Sequence, residues 1–393
     1  MDTALIKTLA ERFYDQVVDL RHYFHRNPEI AYGEMKSAAK IMETLTEMGL
    51  EVQSGVAKTG VVSLIRGKHP GKTVLLRADM DALRVQEEAD VAYRSEVDGM
   101  MHACAHDGHM ANLLGVAMIL NELKSELRGN IKLIFQPAEE AEGGALPMIA
   151  EGVLRAPQVD AAFACHLWGS VPEGVIGVRE GAFMAAPDFF TAKIIGRGGH
   201  GAMPQQTIDP IVLAAQVIEQ TQTVISRKKD PLIPAVISFT KIHGGDSYNV
   251  IPNEVELGGT FRTFDEETRR WIPKAMESIL KSVTETSGGS YSLEVMWRCP
   301  ALINDEAMTT IVKEAAEKIV GAENVRRCAQ PNMGGDDFAY IAEVVPSSYF
   351  FVGIAPSEKE HVIHHHPKFQ WDDRNLLTAM EVLTQVAVDY LMQ

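Results

Sequence analysis

Apolar residues recur at helical spacing over residues 3–25 and 35–48. Each run meets a breaker, Pro28 after the first and Gly49 after the second. Two short β-branched runs follow, GVVSLIRG and TVLLRADM, around the turn KHPGK. A helical pattern from about 108 to 124 leads into NIKLIFQ, which reads as a buried strand, and DAAFACHLW reads as another. Strands alternating with helices predict an α/β layer with a largely parallel sheet. Ligands of such sheets sit just beyond the carboxyl ends of the strands.

The pattern changes over residues 187–299. DFFTAKIIGRG reads as a strand, and DPIVLAAQVIEQTQTVISR as a helix with Pro210 near its start. PAVISFTKIHGG and NEVELGGTFRTF read as strands, EETRRWIPKAMESILKSVTETSG as a helix, and SYSLEVMWR as a closing strand. The order β-α-β-β-α-β is the ferredoxin-like plan. Helix and strand patterns then return, with a helix at 305–319, a strand at 348–353 and a helix at 373–391. The expected fold class is α/β: a mixed, mainly parallel sheet flanked by helices, with an inserted ferredoxin-like (βαββαβ) α+β domain. The expected boundaries are 1–186 for the first part of the host domain, 187–299 for the insert and 300–393 for the second part.

Composition narrows the partners. The 393 residues carry 37 basic and 53 acidic side chains, a formal charge of -16. That balance argues against nucleic acid or an anionic membrane as partner, and leaves room for a small anionic substrate at a local cationic site. The first twenty residues lack a basic segment followed by an apolar one, so they read as an amphipathic helix rather than a signal peptide. No stretch approaches ~18 uninterrupted apolar residues, so no membrane span is expected. Cys104, Cys165, Cys299 and Cys328 are too scattered for a disulfide framework, and reduced thiols in a cytoplasm are expected.

Candidate chemistry collects where predicted strands end. Asp79 and Asp81 follow TVLLRA; Cys104, His106, Asp107 and His109 crowd the mouth of a helix; Glu139 and Glu140 follow IKLIFQPA; His166 follows AAFAC; and VIHHHPKF spans 362–369. Five places along the chain would thus meet at one sheet edge, and each group is a metal-ligand type or an acid–base. Each has a plain alternative when taken alone. His166 could be a hydrogen-bonded structural histidine, the glutamate pair a hydrated loop, the histidine run a solvated loop, and Asp107 the cap of the helix that follows. Cys165 should turn away from His166, because strand side chains alternate. Cys104 and His106 stand two residues apart, which suits two ligands of one ion better than a thiolate with its base. No G-x-S-x-G elbow and no phosphate-cradling glycine loop occurs.

Nine segments together are specific. They are LRHYFHRNPEIAYGE (20–34), LRADMDAL (76–83), MHACAHDGHMA (101–111), FQPAEE (135–140), HLWG (166–169), GRGGHGAMP (196–204), TFRTF (260–264), GGDDFAY (334–340) and HHPKF (365–369). With them the chain resembles, almost end to end, the aminoacylase/carboxypeptidase superfamily of dinuclear metal amidohydrolases. It is most similar to the branch of hippurate hydrolases, N-acetyl-amino-acid deacetylases and auxin-conjugate hydrolases. The resemblance implies two divalent metal ions per subunit, with Cys104, His106, Glu140, His166 and His365 as ligands. His365 is chosen because His-x-Pro-x-Phe falls on 365–369; His364 and His366 are the alternatives. Glu139 is implied as the general base, Asp81 and Asp107 as groups that orient ligands, and Asp79 as either such a group or a structural one.

In the insert, implied to be a lid and dimerisation domain, His200 would stabilise the oxyanion, often from the neighbouring subunit of a homodimer or higher oligomer. Asn249, Arg262 and Gly335 are the candidate substrate contacts, with Arg262 offering a planar match to a carboxylate. The N and S donors favour zinc, manganese, cobalt or nickel over magnesium. The implied reaction is hydrolysis of the amide bond of a small N-acyl-L-amino acid. The alternatives are a dipeptidase or carboxypeptidase using the same site, an N-acetyl- or N-succinyl-diaminopimelate hydrolase, or a binding protein without catalysis. The chain departs from the branch at two positions: Ala105 replaces a usual glycine, and Asp336 a usual glutamate.

Overall fold

The computed structural model describes residues 2–141, 143–356 and 362–393, and it divides into two units. The first comprises Met1–Phe183, Ile303–Pro331 and Asp336–Gln393; the second comprises Met184–Leu302 with Asn332–Gly335.

In the first unit, helices α1 (Thr3–Arg26) and α2 (Met35–Glu47) precede strands β1 (Glu51–Val56), β2 (Gly60–Arg66) and β3 (His69–Asp79). Helix α3 (His106–Leu123), β4 (Arg128–Gln136), β5 (Ala161–Pro172) and β6 (Ile176–Val178) follow. The eight-stranded sheet runs β1-β2-β4-β3-β5, then a late strand at Ser347–Ala355, then β6 and Val325–Arg327. Its centre, from β4 through β3 and β5 to Ser347–Ala355, is parallel, and antiparallel pairs lie toward the edges. The central strands are buried at nearly every position past their first residues, and mostly apolar there, because both faces are covered. Helix α3 is buried at sixteen of its eighteen positions and accordingly shows no polar stripe.

The segment KHPGK does not join two neighbouring strands. β3 already begins at His69, and β4 lies between β2 and β3 in the sheet. Strands β1, β6 and Val325–Arg327 were not legible as strands, since they are short or carry exposed, polar positions without alternation.

In the second unit, β7 (Ala186–Ile195), α4 (Pro210–Thr223), β8 (Ala235–His243), β9 (Glu254–Thr263), α5 (Glu266–Thr286) and β10 (Ser290–Met296) follow one another. Their sheet order is β8-β9-β7-β10, all antiparallel, which is the ferredoxin-like arrangement. Asp209 and Asp265 cap the two helices by accepting from Ile211 and Thr268 backbone N–H groups at 2.9 and 2.7 Å. One sheet face presents Phe190, Ala192, Ile194, Val255, Leu257 and Phe261 to an apolar core shared with Leu213, Ile272, Met276 and Leu280. The chain after the second unit completes the first with α6 (Glu306–Val320), β11 (Val325–Arg327), β12 (Ser347–Ala355) and α7 (Asn375–Leu391).

Candidate active site

The start of α3, the turn after β4, the middle of β5 and the loop before α7 bring the donor groups of the first unit together. Cys104, His106 and His166 form one triad whose ligand atoms lie within 4.8 Å of one another; Cys104, Glu140 and His365 form a second; His106, Glu139 and Glu140 form a third. The shared members make one continuous cluster. Local geometry aims each imidazole. His106 Nδ1 hydrogen-bonds the Asp81 carbonyl at 2.8 Å, and His166 Nδ1 the Leu167 carbonyl at 2.9 Å. Each Nδ1 therefore donates, and each Nε2 turns into the cluster. His166 Nε2 is 3.5 Å from Cys104 Sγ.

The run of three histidines is sorted by its backbone. His365 takes a positive φ of 66° and donates its N–H to the Ala103 carbonyl at 2.8 Å. That carries its Nε2 to 3.2 Å from Glu140 Oε1. His364 Nε2 is spent on the Leu167 carbonyl at 2.9 Å, and His366 Nδ1 accepts from the Lys368 N–H. His109 is not available either. Its Nδ1 is 2.6 Å from Asp79 Oδ1, and its Nε2 accepts the Leu167 N–H at 3.0 Å. Cys165 turns away into the core and takes a hydrogen bond from Asn112.

These residues fit a divalent cation. Glu140 Oε1 is buried without a hydrogen-bond partner, although His365 Nε2 and His106 Nε2 stand 3.2 and 4.0 Å away. Burial and the charge of Glu140 and Glu139 push the Cys104 thiol well above its usual range. A buried thiol in anionic surroundings is no free nucleophile, and it ionises against a metal ion instead. Burial and His109 hold His166 well below its usual value, in the neutral form a metal needs. Burial would lower His106, but Asp79 and Asp81 outweigh it and raise it to about 10. Surroundings that stabilise a proton on His106 also stabilise a cation against it.

The glutamate pair sits on a turn held by its backbone. Asp81 accepts the N–H groups of Glu139 and Glu140 at 2.9 and 3.0 Å, one on each carboxylate oxygen. Both glutamates are partly exposed. Burial first, and then Asp336 and Glu140, raise the Glu139 carboxyl well above its usual range. Burial also pushes Glu140 up, but His365 and His106 prevail and hold it below.

Behind the cluster lie charged groups, of which the sequence did not single out Arg77 and Asp337. Arg77 is buried at 3% exposure and contacts Asp79 at 2.6 Å, both oxygens of Asp336 at 3.2 and 3.1 Å, and Asp337 at 3.1 Å. Tyr349 donates to Asp336 at 2.6 Å. Asp336 is thus committed to this network. Asp107 does not orient a ligand side chain; its Oδ2 meets His25 Nδ1 at 2.8 Å and Arg21 Nε at 3.3 Å. Nor does it cap α3, whose N-cap is Ala105 at φ 65°. The only advance signal for Arg77 was its spacing two residues before Asp79 on a strand, which puts both on one face.

The candidates of the second unit fall in two places. His200 is exposed, its strand position pairs with Val250, and Gly201 N–H donates to the Asn249 carbonyl at 2.8 Å, so His200 and Asn249 are neighbours. Arg262 pairs with Pro187 near the opposite end of β7 and donates to the Met333 carbonyl at 3.2 Å. Gly335 packs against Pro187, where a Cβ would meet the proline ring at 2.6 Å. Between Arg262 and Glu254, which pairs with Ile195 at the far end of β7, β9 rises about 26 Å. One side-chain reach cannot bridge that distance.

A buried N, S and O donor set at the carboxyl edge of an α/β sheet, with a carboxylate beside it, suits a metal-dependent hydrolase. The chain belongs to Peptidase family M20/M25/M40, whose sequence model matches residues 75–389. It is 45% identical over 300 residues to the N-acyl-L-amino acid amidohydrolase of Geobacillus stearothermophilus, covering 76% of this chain and 80% of that one. It is 37% identical over 377 residues to the N-acetylcysteine deacetylase of Bacillus subtilis, covering 96% and 97%. The crystal structure of the Bacillus subtilis YxeP protein, described as a dinuclear metal binding peptidase of the M20 family, superposes with a TM-score of 0.83. That pair shares 34% identity and covers 97% of this chain and 99% of the other. Among the described residues, no helix is long and apolar enough to cross a membrane.

Proposed function

We propose that this enzyme hydrolyses the amide bond of N-acyl-L-amino acids, with N-acetyl, N-benzoyl or similar acyl groups, and uses Glu139 as general base. The observation that carries the reading is the convergence of Cys104, His106, Glu140, His166 and His365 in one cluster of overlapping groups, with Glu140 Oε1 buried and Glu139 adjacent. These five residues would hold two divalent ions, with zinc, manganese, cobalt or nickel suited to the thiolate and imidazole donors. Such ions supply Lewis-acid activation of water and of the amide carbonyl.

The chain's own groups do the rest. Glu139 takes the proton of the attacking water as its oxygen bonds to the carbonyl carbon. It then delivers that proton to the amide nitrogen as the C–N bond breaks, leaving a carboxylic acid and a free amino acid. His200 Nδ1 accepts the Ala202 N–H at 3.0 Å, which leaves Nε2–H as an outward donor for the developing oxyanion. Arg262, flanked by Gly335, would grip the substrate carboxylate, and Asn249, which stands beside His200, would meet the polar backbone of the substrate from the same copy that supplies His200. His200 and Arg262 lie at separate places in their unit, and a homodimer in which a second copy supplies His200 accommodates that separation. The free thiols suit a reducing compartment such as the cytoplasm.

The test is Glu139→Gln, assayed on N-acetyl-L-methionine and on N-benzoylglycine, with metal content measured by elemental analysis. Turnover should fall about 10²–10⁴-fold while the metal stays bound. Retained turnover, or loss of metal, refutes the role of Glu139. A wild-type protein that binds metal and turns over no member of an acyl-amino-acid panel would instead be a binding protein.

A further inference from the structure

Glu34 is fully buried and ionisable, and no step of the hydrolysis uses it. One of its carboxylate oxygens accepts the Ala138 N–H at 2.9 Å, and the other accepts the Thr59 hydroxyl at 2.7 Å. Ala138 immediately precedes Glu139 and takes a positive φ of 56°, a conformation that side chains bearing a Cβ adopt at a cost. The next two N–H groups, of Glu139 and Glu140, are both taken by Asp81. Three consecutive amides thus point into two carboxylates, and only Ala138 depends on Glu34.

The turn is closed by Gly143 N–H donating to the Ala138 carbonyl at 2.9 Å. Tyr32, two residues before Glu34, donates its hydroxyl to the Gly143 carbonyl at 3.2 Å. The segment 32–34 therefore braces both ends of the turn that carries the glutamate pair.

We propose that Glu34 is the positioning residue for Glu139: through Ala138 it holds the strained backbone that aims the base. A strained residue persists only where its surroundings over-determine it. Without an acceptor at position 34, Ala138 has a buried, unpaired N–H and every reason to relax toward negative φ. Glu140 would stay near its place because Asp81 still holds both of the following amides. The loss should therefore fall on catalysis rather than on metal binding. A small misplacement of a catalytic group is enough for a large effect.

The inference rests on Glu139 being the base, so Glu139→Gln is run beside it. Three substitutions separate positioning from charge or mere packing. Glu34→Gln keeps an acceptor for Ala138 and can donate to Thr59, and it should retain kcat within about threefold. Glu34→Ala should lower kcat by about tenfold to a hundredfold, with KM little changed and wild-type metal content. Glu34→Asp keeps the charge but withdraws the carboxylate by one methylene, and should resemble Ala. Hydrogen exchange of the peptide spanning 138–141, read by mass spectrometry, should quicken in the Ala and Asp variants and not in Gln.

Wild-type kcat in folded Glu34→Ala overturns the proposal, as does rescue by Asp with failure of Gln. If Glu34→Ala does not fold, the Asp and Gln pair decides by the same criteria. If Glu139→Gln remains active while exchange at 138–141 follows position 34 as stated, the assignment of the base has failed and the bracing of Ala138 stands.

Discussion

Two arginines of the first unit, Arg21 and Arg77, are almost fully buried, at 1% and 3% exposure, and they serve different ends. Arg77 is one cation among three carboxylates, Asp79, Asp336 and Asp337. Burial, offset in part by Arg77, raises Asp337 to about 7. The group keeps an excess of negative charge, and Asp336 and Asp337 come within 4.8 Å of Glu139. Arg21 belongs to a nearly balanced group. With His25 it faces Asp107, Glu87 and Asp373. It also donates to the Trp371 carbonyl at 3.2 Å and lies 3.5 Å from the centre of that indole ring. The indole in turn fills the space where a Cβ on Gly108 would stand, 2.4 Å away. Arg77 shapes the potential beside the base. Arg21 ties together four distant stretches of chain on which Cys104, His106 and His365 depend for their mutual placement. Similar burial thus serves an electrostatic end in one case and a mechanical one in the other.

The largest effect should come from Arg77→Met. Removing one partner from a buried ionic group leaves the others uncompensated, at a cost of about 3–5 kcal/mol. Here Asp336 and Asp337 lose the cation they share, while Asp79 keeps His109 at 2.6 Å, so the middle of that range is expected. Denaturant midpoints of wild type and variant measure it. Near-wild-type stability would mean that the carboxylates bind protons readily when Arg77 is gone, and the electrostatic half of the contrast would fail. Adding Asp337→Asn should restore part of the loss.

His25 lets the alkaline range test the Arg21 group, since an arginine keeps its proton there and a histidine does not. Burial lowers the His25 pKa, but Asp107 and the hydrogen bond that His25 donates to Glu87 prevail and raise it from 6.5 to about 9. A folded value above the unfolded one means that the stabilisation is complete below about 6.5 and is lost as pH rises through about 9. The full effect is on the order of 3 kcal/mol. His25→Gln should be less stable than wild type at pH 6, and the gap should close by pH 10. A gap independent of pH would show that His25 packs there without its charge.

The sequence made the framework legible and left its supports hidden, for a physical reason. Periodicity marks elements such as α3 and β4 because burial recurs locally. Strand-end placement with the motifs pointed to Cys104, His106, Glu139, Glu140, His166 and His365, which the fold does bring together. The partners of the supporting charges lie too far along the chain for any spacing to reveal. Arg77 and Asp336 are 259 residues apart, and Arg21 and Asp373 are 352 apart. Asp107 misled for a related reason: its place beside His106 suggested a ligand-orienting or capping role, whereas the helix turns it toward Arg21 and His25. His109 looked like one more donor until the strand at Leu167 claimed its second nitrogen.

The smallest predicted effect bears most directly on the mechanical role of Arg21. Ala105, between Cys104 and His106, sits at φ 65° and ψ 16°, a left-handed backbone that favours glycine. That conformation costs a residue with a Cβ about 1–2 kcal/mol. Ala105→Gly removes the strain, but it frees the unfolded chain by about 0.4–1 kcal/mol and gives up a buried methyl worth about 0.8 kcal/mol. The terms nearly cancel, so stability should change by less than about 1 kcal/mol in denaturant titrations. If the turn is set by Asp107 gripped between Arg21 and His25, the glycine variant keeps the same ligand geometry and binds metal with unchanged stoichiometry and affinity. A weakened metal complex at unchanged stability would show that the Ala105 methyl restrains the Cys104–His106 turn, and that the Arg21 group is less of a clamp than its contacts indicate.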